Sequence, residues 1–390
     1  MRILFKGANI YPITSKPIKG DLLVEDGKIK KMGQSIEDDA DEIIDVNGKY
    51  IFPGFVDAHS HIGVFEEGVG MGYQDGNEMT DPNTAQVRVI DAFYPEDAAI
   101  KRALEGGVTT VMVVPGSANP IGGQGAILKF RSNIVDEMVV KEPAGLKMAM
   151  GENPKRVYGS QNKMPATRLG SVAVIREYFL KVKNYMKKKE KEDFNEYDLK
   201  MEIGEKVLKR EIPARIHAHR ADDILTAIRL SEEFGFDLVI EHATEAYKIA
   251  DYIKEKNIPL VLGPLFGFRT KLELKDMSFD ALRIINEKGI LAGLMCDHPV
   301  LHLEHANVQA ALGMRYGAKE EDLLKMLTYG AKEEDLLKML TINPAKILKM
   351  DDRIGSLEPG KDADIAIWNH HPFDIRAKAE SVYIEGKKVL

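Results

Sequence analysis

Residues 214–243 read ARIHAHRADDILTAIRLSEEFGFDLVIEHA, and this stretch decides the fold. Its two ends, 214–219 and 237–243, are apolar runs of the length of a strand. Between them, residues 221–235 carry apolar side chains at a spacing near 3.6, which predicts an amphipathic helix. A strand, a helix and a second strand in this order are typical of a parallel α/β unit.

The same alternation continues on both sides of this unit. Further apolar runs of strand length occur at 55–59, 108–114, 144–150, 258–264 and 290–296. Together these are seven clear strands, and we predict an eighth near 122–140. Eight strands of this kind close a (β/α)8 barrel.

Both chain ends have a different pattern of short strands and tight turns. The stretch 20–33, GDLLVEDGKIKKMG, predicts two strands around the turn Asp26-Gly27. We therefore predict a barrel over 53–350. Residues 1–52 plus 351–390 should form one composite, β-sandwich-like domain.

Composition excludes several classes of protein. The 390 residues are 44% hydrophobic and 29% charged, which is typical of a soluble globular protein. A net charge of −7 provides no basic surface for nucleic acid or an anionic membrane, and no apolar run reaches the ~18 residues of a membrane span. The single cysteine, Cys296, cannot form an internal disulfide. We expect a cytoplasmic protein.

Histidine and aspartate occur at the predicted carboxyl ends of four strands. The residues are His59, His61, His217, His219, His242 and Asp297. Residues two apart in a strand point the same way, so His59 and His61 can bind one first-row metal ion together. The carboxyl ends of barrel strands meet on one face, where such folds keep their active sites.

The order of these residues and the sequences around them resemble the amidohydrolase superfamily. The motifs are FPGFVDAHSH (52–61), GGVTTVMVVPGS (106–117), TINPAKIL (341–348) and RIGSLEPGKDADIAIW (353–368). The chain resembles most the imidazolonepropionase-like and prolidase-like members, including a subgroup with GENPKRVYG (151–159). The resemblance covers nearly the whole chain and implies a metal-dependent hydrolase.

The resemblance also implies a ligand set. Its metal ligands would be His59, His61, Lys147, His217, His242 and Asp297. Lys147 would bridge two ions as a carbamate, although Glu152 could bridge instead and Lys147 could be a paired structural lysine. His219 could replace His217 as a ligand or contact substrate. Asp297 would also be the catalytic proton shuttle.

The implied reaction is hydrolysis of an amide or cyclic amide through a metal-activated water. The cofactor would be one or two divalent ions, most readily Zn²⁺. The substrate would be a small molecule and the protein a homo-oligomer. A mononuclear deaminase or imidazolonepropionase is the alternative, but its acid/base glutamate is missing, because Arg220 and Asp222 stand at the two possible positions. A non-catalytic assembly protein of the same fold is the alternative from another class.

Other residues are weaker candidates. Arg156 and Tyr158 could bind a substrate carboxylate or carbonyl, and Gln124 and His298 could line the pocket. The long connections at 62–94 and 153–213 are expected to determine specificity.

One sequence, YGAKEEDLLKMLT, occurs at 316–328 and again at 329–341. A continuous helix through both copies would turn its apolar face by roughly 220°, because 13 residues are not a whole number of turns. We predict that Gly330 breaks the helix. The extra copy should then form a second short helix or loop out, without a functional site.

Overall fold

The computed structural model describes residues 1–68, 70, 74–315 and 330–390. Within these residues the strands form two sheets of eight strands each. One sheet combines the two chain ends and the other forms the barrel. No helix in the described ranges is long and apolar enough to cross a membrane.

The terminal sheet joins the two ends of the chain. Its strands are β1 (Arg2–Ile10), β2 (Ile18–Glu25), β3 (Lys28–Gly33), β4 (Glu42–Asp45), β5 (Tyr50–Pro53), β14 (Ile365–Trp368), β15 (Ala379–Ile384) and β16 (Lys387–Lys388). Their order is β16-β15-β14-β5-β1-β2-β3, and β4 also pairs with β1. The predicted turn joins β2 to β3, where Asp26 and Gly27 have φ values of 49° and 78°. Positive φ at both residues is what a type I′ hairpin requires.

The barrel strands are neighbours in chain order. They are β6 (Phe55–Ser60), β7 (Val108–Val113), β8 (Ile121–Lys129), β9 (Val139–Ala149), β10 (Ala214–Ala218), β11 (Leu238–His242), β12 (Leu260–Leu262) and β13 (Ala292–Leu294). The sheet nearly closes, because the Cys296 amide beyond β13 donates to Asp57 Oδ2 of β6 at 2.8 Å. The barrel predicted from the sequence is confirmed.

One strand departs from the parallel pattern. The eighth predicted strand is β8, and it runs antiparallel to both β7 and β9. A parallel return needs a crossover of a dozen or more residues. Only residues 114–120 join β7 to β8, and only 130–138 join β8 to β9. These connections are too short for a crossover.

Helices connect the remaining strands. The α-helices that the structure describes are α1 (Ala98–Glu105), α2 (Val135–Met138), α3 (Glu152–Gly159), α4 (Arg168–Lys189), α5 (Leu199–Leu208), α6 (Ala221–Phe234), α7 (Ala250–Lys256), α8 (Asp280–Glu287), α9 (Ala306–Arg315), α10 (Glu333–Leu340) and α11 (Ile342–Ile347). The predicted helix at 221–235 is α6. Gly235, with a φ of 82°, caps its carboxyl end. Glycine adopts this left-handed conformation readily.

A buried lysine joins the barrel to the terminal sheet. Lys129 of β8 is fully buried, and its Nζ lies 2.7 Å from Asp362 Oδ2 and 2.8 Å from Asp364 Oδ2. These carboxylates compensate the charge that burial would otherwise make costly. The two sheets are therefore connected by a buried ionic contact as well as by the chain.

Only the second copy of the repeated sequence lies largely within the described residues. It forms α10, which buries Leu336, Leu337, Met339 and Leu340. Gly330 lies outside this helix, and a side chain there would collide with the Met314 carbonyl oxygen. The Ala331 amide donates to the Gly313 carbonyl at 3.3 Å. Residues 316–328 lie outside the described residues.

Deleting residues 316–328 is expected to preserve the fold. In the shortened chain, Met314, Arg315, Tyr329 and Gly330 would be consecutive, and Met314 and Gly330 already lie as close as the ends of a β-turn. A shorter connection also costs less entropy to close, by about 1 kcal/mol. Chemical denaturation should therefore show an equal or slightly higher free energy of unfolding. A loss of several kcal/mol would mean that the first copy contributes contacts of its own.

Candidate metal centre

The carboxyl ends of four barrel strands bring together the five histidine and aspartate residues of the predicted ligand set and His219, the alternative to His217. All six are buried: His59, His61, His217, His219, His242 and Asp297. Their ligand atoms form two groups of three. The groups are adjacent, because the ring centroids of His59 and His242 are 5.3 Å apart.

The first group consists of His59, His61 and Asp297. Asp297 Oδ1 lies 3.0 Å from His59 Nε2 and 3.1 Å from His61 Nε2. His61 Nδ1 lies 2.8 Å from the Val114 carbonyl oxygen, which can only accept a hydrogen bond. Nδ1 of His61 therefore carries the proton, and its Nε2 is free to bind a metal ion.

The second group consists of His217, His219 and His242. His242 Nδ1 donates to the Gly263 carbonyl at 2.9 Å, which leaves Nε2 free. His219 Nδ1 lies 2.8 Å from Thr244 Oγ1. Neither ring nitrogen of His217 has a hydrogen-bond partner among the described residues, although the side chain is buried. A buried polar atom without a partner is costly, and a bound cation would remove that cost.

Backbone strain occurs at two of these positions. His242 and Asp297 have φ values of 68° and 54°, in the left-handed region that residues with a Cβ seldom adopt. Such conformations cost about 1–3 kcal/mol each and concentrate at functional sites. In this barrel they turn the chain where β11 ends and just beyond β13.

The protonation states suit metal binding. Burial lowers the pKa of His217, His219 and His242 well below the usual histidine value. Burial alone would raise the pKa of Asp297, but His242 and the contacts with His59 and His61 hold it well below its usual range. Neutral imidazole and ionised carboxylate are the forms that bind divalent ions, so these donors fit a metal centre.

A buried carboxylate behind the first group went unnoticed in the sequence. Glu241 of β11 is fully buried, contacts Lys147 Nζ, and accepts from Arg215 Nε at 2.8 Å. Its Oε2 also lies 3.0 Å from His59 Nδ1, close to it but not aligned as a hydrogen bond. The available signal in the sequence was a charged residue, Glu241, between the apolar run LVI at 238–240 and His242.

The two predicted bridging residues lie in different surroundings. Lys147 of β9 is buried beside the donor groups, but its Nζ is paired with Glu241. Burial lowers the pKa of Lys147. The arrangement corresponds to the paired-lysine alternative. Glu152, at the start of α3, lies outside both donor groups.

Asp57 is a second supporting residue. Its carboxylate accepts from the amides of His59 and Cys296, each at 2.8 Å. It therefore fixes β6 against the segment that carries Asp297. Burial raises the pKa of Asp57 to about 7. Cys296 itself is buried in the core.

Two predicted substrate residues contact the connection at 62–94. Tyr158 is fully buried, and its hydroxyl lies 2.7 Å from the Asp81 carbonyl oxygen and 2.6 Å from Asn119 Oδ1. Gln124 Nε2 donates to the Ala85 carbonyl at 3.1 Å. Both side chains hold that connection against the barrel. The sequence could not reveal this, because it does not show where the connection lies.

The other two candidates differ in exposure. Arg156 is exposed and lines a pocket of about 600 Å³ with Lys155, Lys271 and Glu152. His298 is buried, and neither of its ring nitrogens has a hydrogen-bond partner among the described residues. Burial lowers the pKa of His298 to about 4. Arg156 is therefore accessible to a ligand, and His298 is a neutral residue next to Asp297.

The residues at the two positions where a deaminase would carry its acid/base glutamate are paired with each other. Arg220 and Asp222 form an ion pair with each other at 2.9 Å, and both side chains are substantially exposed. Neither belongs to a donor group. A mononuclear deaminase centre therefore gains no support from them.

A barrel with histidine and aspartate at the carboxyl ends of its strands is typical of a class of metal-dependent hydrolases. Comparison of the sequence with known protein families identifies the class. Residues 50–389 match the amidohydrolase family, so the chain belongs to that family. This membership supports an enzyme that acts on carbon–nitrogen bonds. Members of the family usually bind metal ions, and the two donor groups could hold them.

Individual proteins show the same relationship. An amidohydrolase from Thermotoga maritima MSB8 is 62% identical, with a TM-score of 0.95, over 100% of this chain and 99% of that one. Amidohydrolase tasK of Hapsidospora irregularis is 29% identical over 94% of this chain, which spans only 39% of tasK. A β-aspartyl dipeptidase from Fervidobacterium islandicum AW-1 shares the fold at 16% identity and a TM-score of 0.59, over 100% of this chain and 97% of that one.

Proposed function

We propose that the protein is a metal-dependent hydrolase that cleaves an amide or cyclic amide bond in a small molecule. The observation that carries the proposal is the pair of buried donor groups, the first with an ionised aspartate and the second with neutral imidazoles. His59, His61 and Asp297 would hold one divalent ion, and His217, His219 and His242 a second. Zn²⁺ suits these nitrogen and carboxylate donors.

The bound ions would polarise the scissile carbonyl and lower the pKa of water toward neutrality. Asp297 would transfer the proton. Its Oδ1 faces His59 and His61, so Oδ2 would accept the proton from the attacking water. The same oxygen would then deliver the proton to the leaving nitrogen.

Supporting residues keep Asp297 and His59 in position. Asp57 connects the strand that bears His59 to the segment that bears Asp297. Glu241 lies against His59 Nδ1 and would favour the tautomer whose Nε2 binds metal. Small displacements of catalytic groups lower the reaction rate. The rigid support that Asp57 and Glu241 give to Asp297 and His59 is therefore important for function.

The side chain of Lys147 has two possible forms, a free amine and a carbamate. Its contact with Glu241 favours the amine, because a carbamate there would put a second anion beside a buried carboxylate. A carbamate would make metal uptake depend on bicarbonate during growth. Growth with and without added bicarbonate, followed by metal analysis, distinguishes the two forms.

Elemental analysis of protein grown with zinc is expected to give close to two equivalents of metal per chain. Removing the metal with a chelator should abolish hydrolysis of any active N-acyl amino acid or dipeptide in a substrate panel, and added Zn²⁺ should restore it. One equivalent would favour the mononuclear deaminase or imidazolonepropionase alternative. No metal at all would contradict the catalytic proposal and favour a non-catalytic protein of this fold.

A further inference from the structure

A second glutamate faces the metal centre from a loop. Glu273 lies in a short 3-10 turn, Leu272–Leu274, in the connection between β12 and α8. It is only 2% exposed. Its Oε2 accepts from the backbone amide of Glu152 at 3.0 Å, whereas Oε1 has no hydrogen-bond partner among the described residues.

The free oxygen points at the second donor group. Glu273 Oε1 lies 3.7 Å from His219 Nε2 and 3.9 Å from His217 Nε2. Donors bound at about 2.1 Å from one tetrahedral ion are about 3.4 Å apart. A movement of a few tenths of an ångström would thus bring Oε1 to coordination distance.

The charges favour the same role. The first donor group contains the carboxylate of Asp297, whereas the second consists of three histidine side chains without a carboxylate. Two cations lie near Glu273 without forming a hydrogen bond to it: Lys271 Nζ is 3.7 Å from Oε1 and Arg168 is 3.6 Å from Oε2. Arg168 already donates to Asp223 at 3.0 Å. At these distances the two cations compensate a buried carboxylate less than a hydrogen-bonded ion pair would.

We propose that Glu273 is the carboxylate ligand of the second metal ion, which it binds together with the donor group of His217, His219 and His242. The inference rests on the metal-dependent function proposed above. A loop, and not a barrel strand, would then supply the anionic ligand of this ion.

Lys271 provides an independent test of this assignment. Its Nζ lies 3.5 Å from His219 Nε2, so the ammonium group occupies space next to the same ligand atoms. A cation in that position opposes the approach of a metal ion. Removing the lysine charge relieves this repulsion whether or not Glu273 is a ligand, so the test is whether Lys271→Met strengthens the second ion more in the presence of Glu273 than in combination with Glu273→Gln.

The experiment is titration of chelator-treated protein with Zn²⁺ in a calorimeter, together with the visible absorption spectrum after loading with Co²⁺. Glu273→Gln is expected to weaken the second ion by about tenfold or more, with the first unchanged. Lys271→Met should strengthen the second ion severalfold. The matched control is Glu205→Gln, a buried glutamate paired with Lys189 and Lys209, and it should behave as the wild type.

The outcomes separate this inference from the proposed function. Wild-type protein that binds no ion would overturn the metal-dependent function itself. Two ions in both wild type and Glu273→Gln, with equal affinities and Co²⁺ spectra, would overturn only the assignment of Glu273. A single ion that Glu273→Gln retains would also overturn it. If Glu273→Gln does not fold, Glu273→Asp takes its place, and equal affinities for the second ion in this variant and the wild type would be the contradicting result.

Discussion

Replacing Asp297 with asparagine is expected to lower the hydrolytic rate by about 10²–10⁴-fold while the barrel remains folded. Asparagine has the same shape but neither the negative charge nor the basicity of the carboxylate. The variant therefore cannot accept the proton from the attacking water. It also loses the anionic donor between His59 and His61, so the ion in the first group should bind more weakly.

The measurement is kcat at saturating Zn²⁺, with metal content and circular dichroism recorded on the same samples. Saturating metal separates the loss of proton transfer from the loss of the ion. Asp222→Asn is the matched control, because Asp222 is exposed and paired with Arg220 outside both donor groups. Full activity in Asp297→Asn would contradict the proposed proton shuttle. Loss of activity in Asp222→Asn would instead favour the deaminase alternative.

The barrel could be predicted because its strands are marked locally. Strands such as β10 and β11 are short apolar runs separated by an amphipathic helix, and these patterns depend only on neighbouring residues. The reversal of β8 was missed, although the short connections at 114–120 and 130–138 rule out a parallel crossover. Connection length was the available signal.

The donor residues could be singled out for a similar reason. His59 and His61 lie two apart at a strand end, and this spacing alone sends both side chains to one face. The supporting residues depend on register across several strands. Arg215 is the β-sheet partner of Lys147, and Glu241 is the partner of His217. One sequence does not fix these pairings, so the contacts of Glu241 could not be read from it.

Loop residues were the hardest to predict. Glu273 lies in a connection without periodicity, and nothing near it in the chain marks it as a ligand. Tyr158 is a second example, because its position after a barrel strand suggested a substrate contact, and its contacts with the 62–94 connection were not visible in the sequence. In both cases the role depends on where a loop packs, which local sequence does not determine.

Glu241→Gln is expected to destabilise the metal-free protein by about 3–5 kcal/mol. The substitution keeps the volume of the side chain but leaves Lys147 and Arg215 buried without a negative partner. Removing one member of a buried ionic group costs more than the group contributes, because the remaining charges stay desolvated. Denaturant unfolding of the apo protein measures the loss without any contribution from bound metal.

Two further variants determine whether uncompensated charge is the cause. Glu241→Gln combined with Lys147→Met should recover part of the lost stability, because the second substitution removes one of the unpaired cations. Glu233→Gln breaks an exposed pair with Arg176 at 2.9 Å and should cost less than about 1 kcal/mol. Equal losses in the single and double variants would contradict the charge explanation. They would point instead to the contact with His59 Nδ1 as the source of the lost stability.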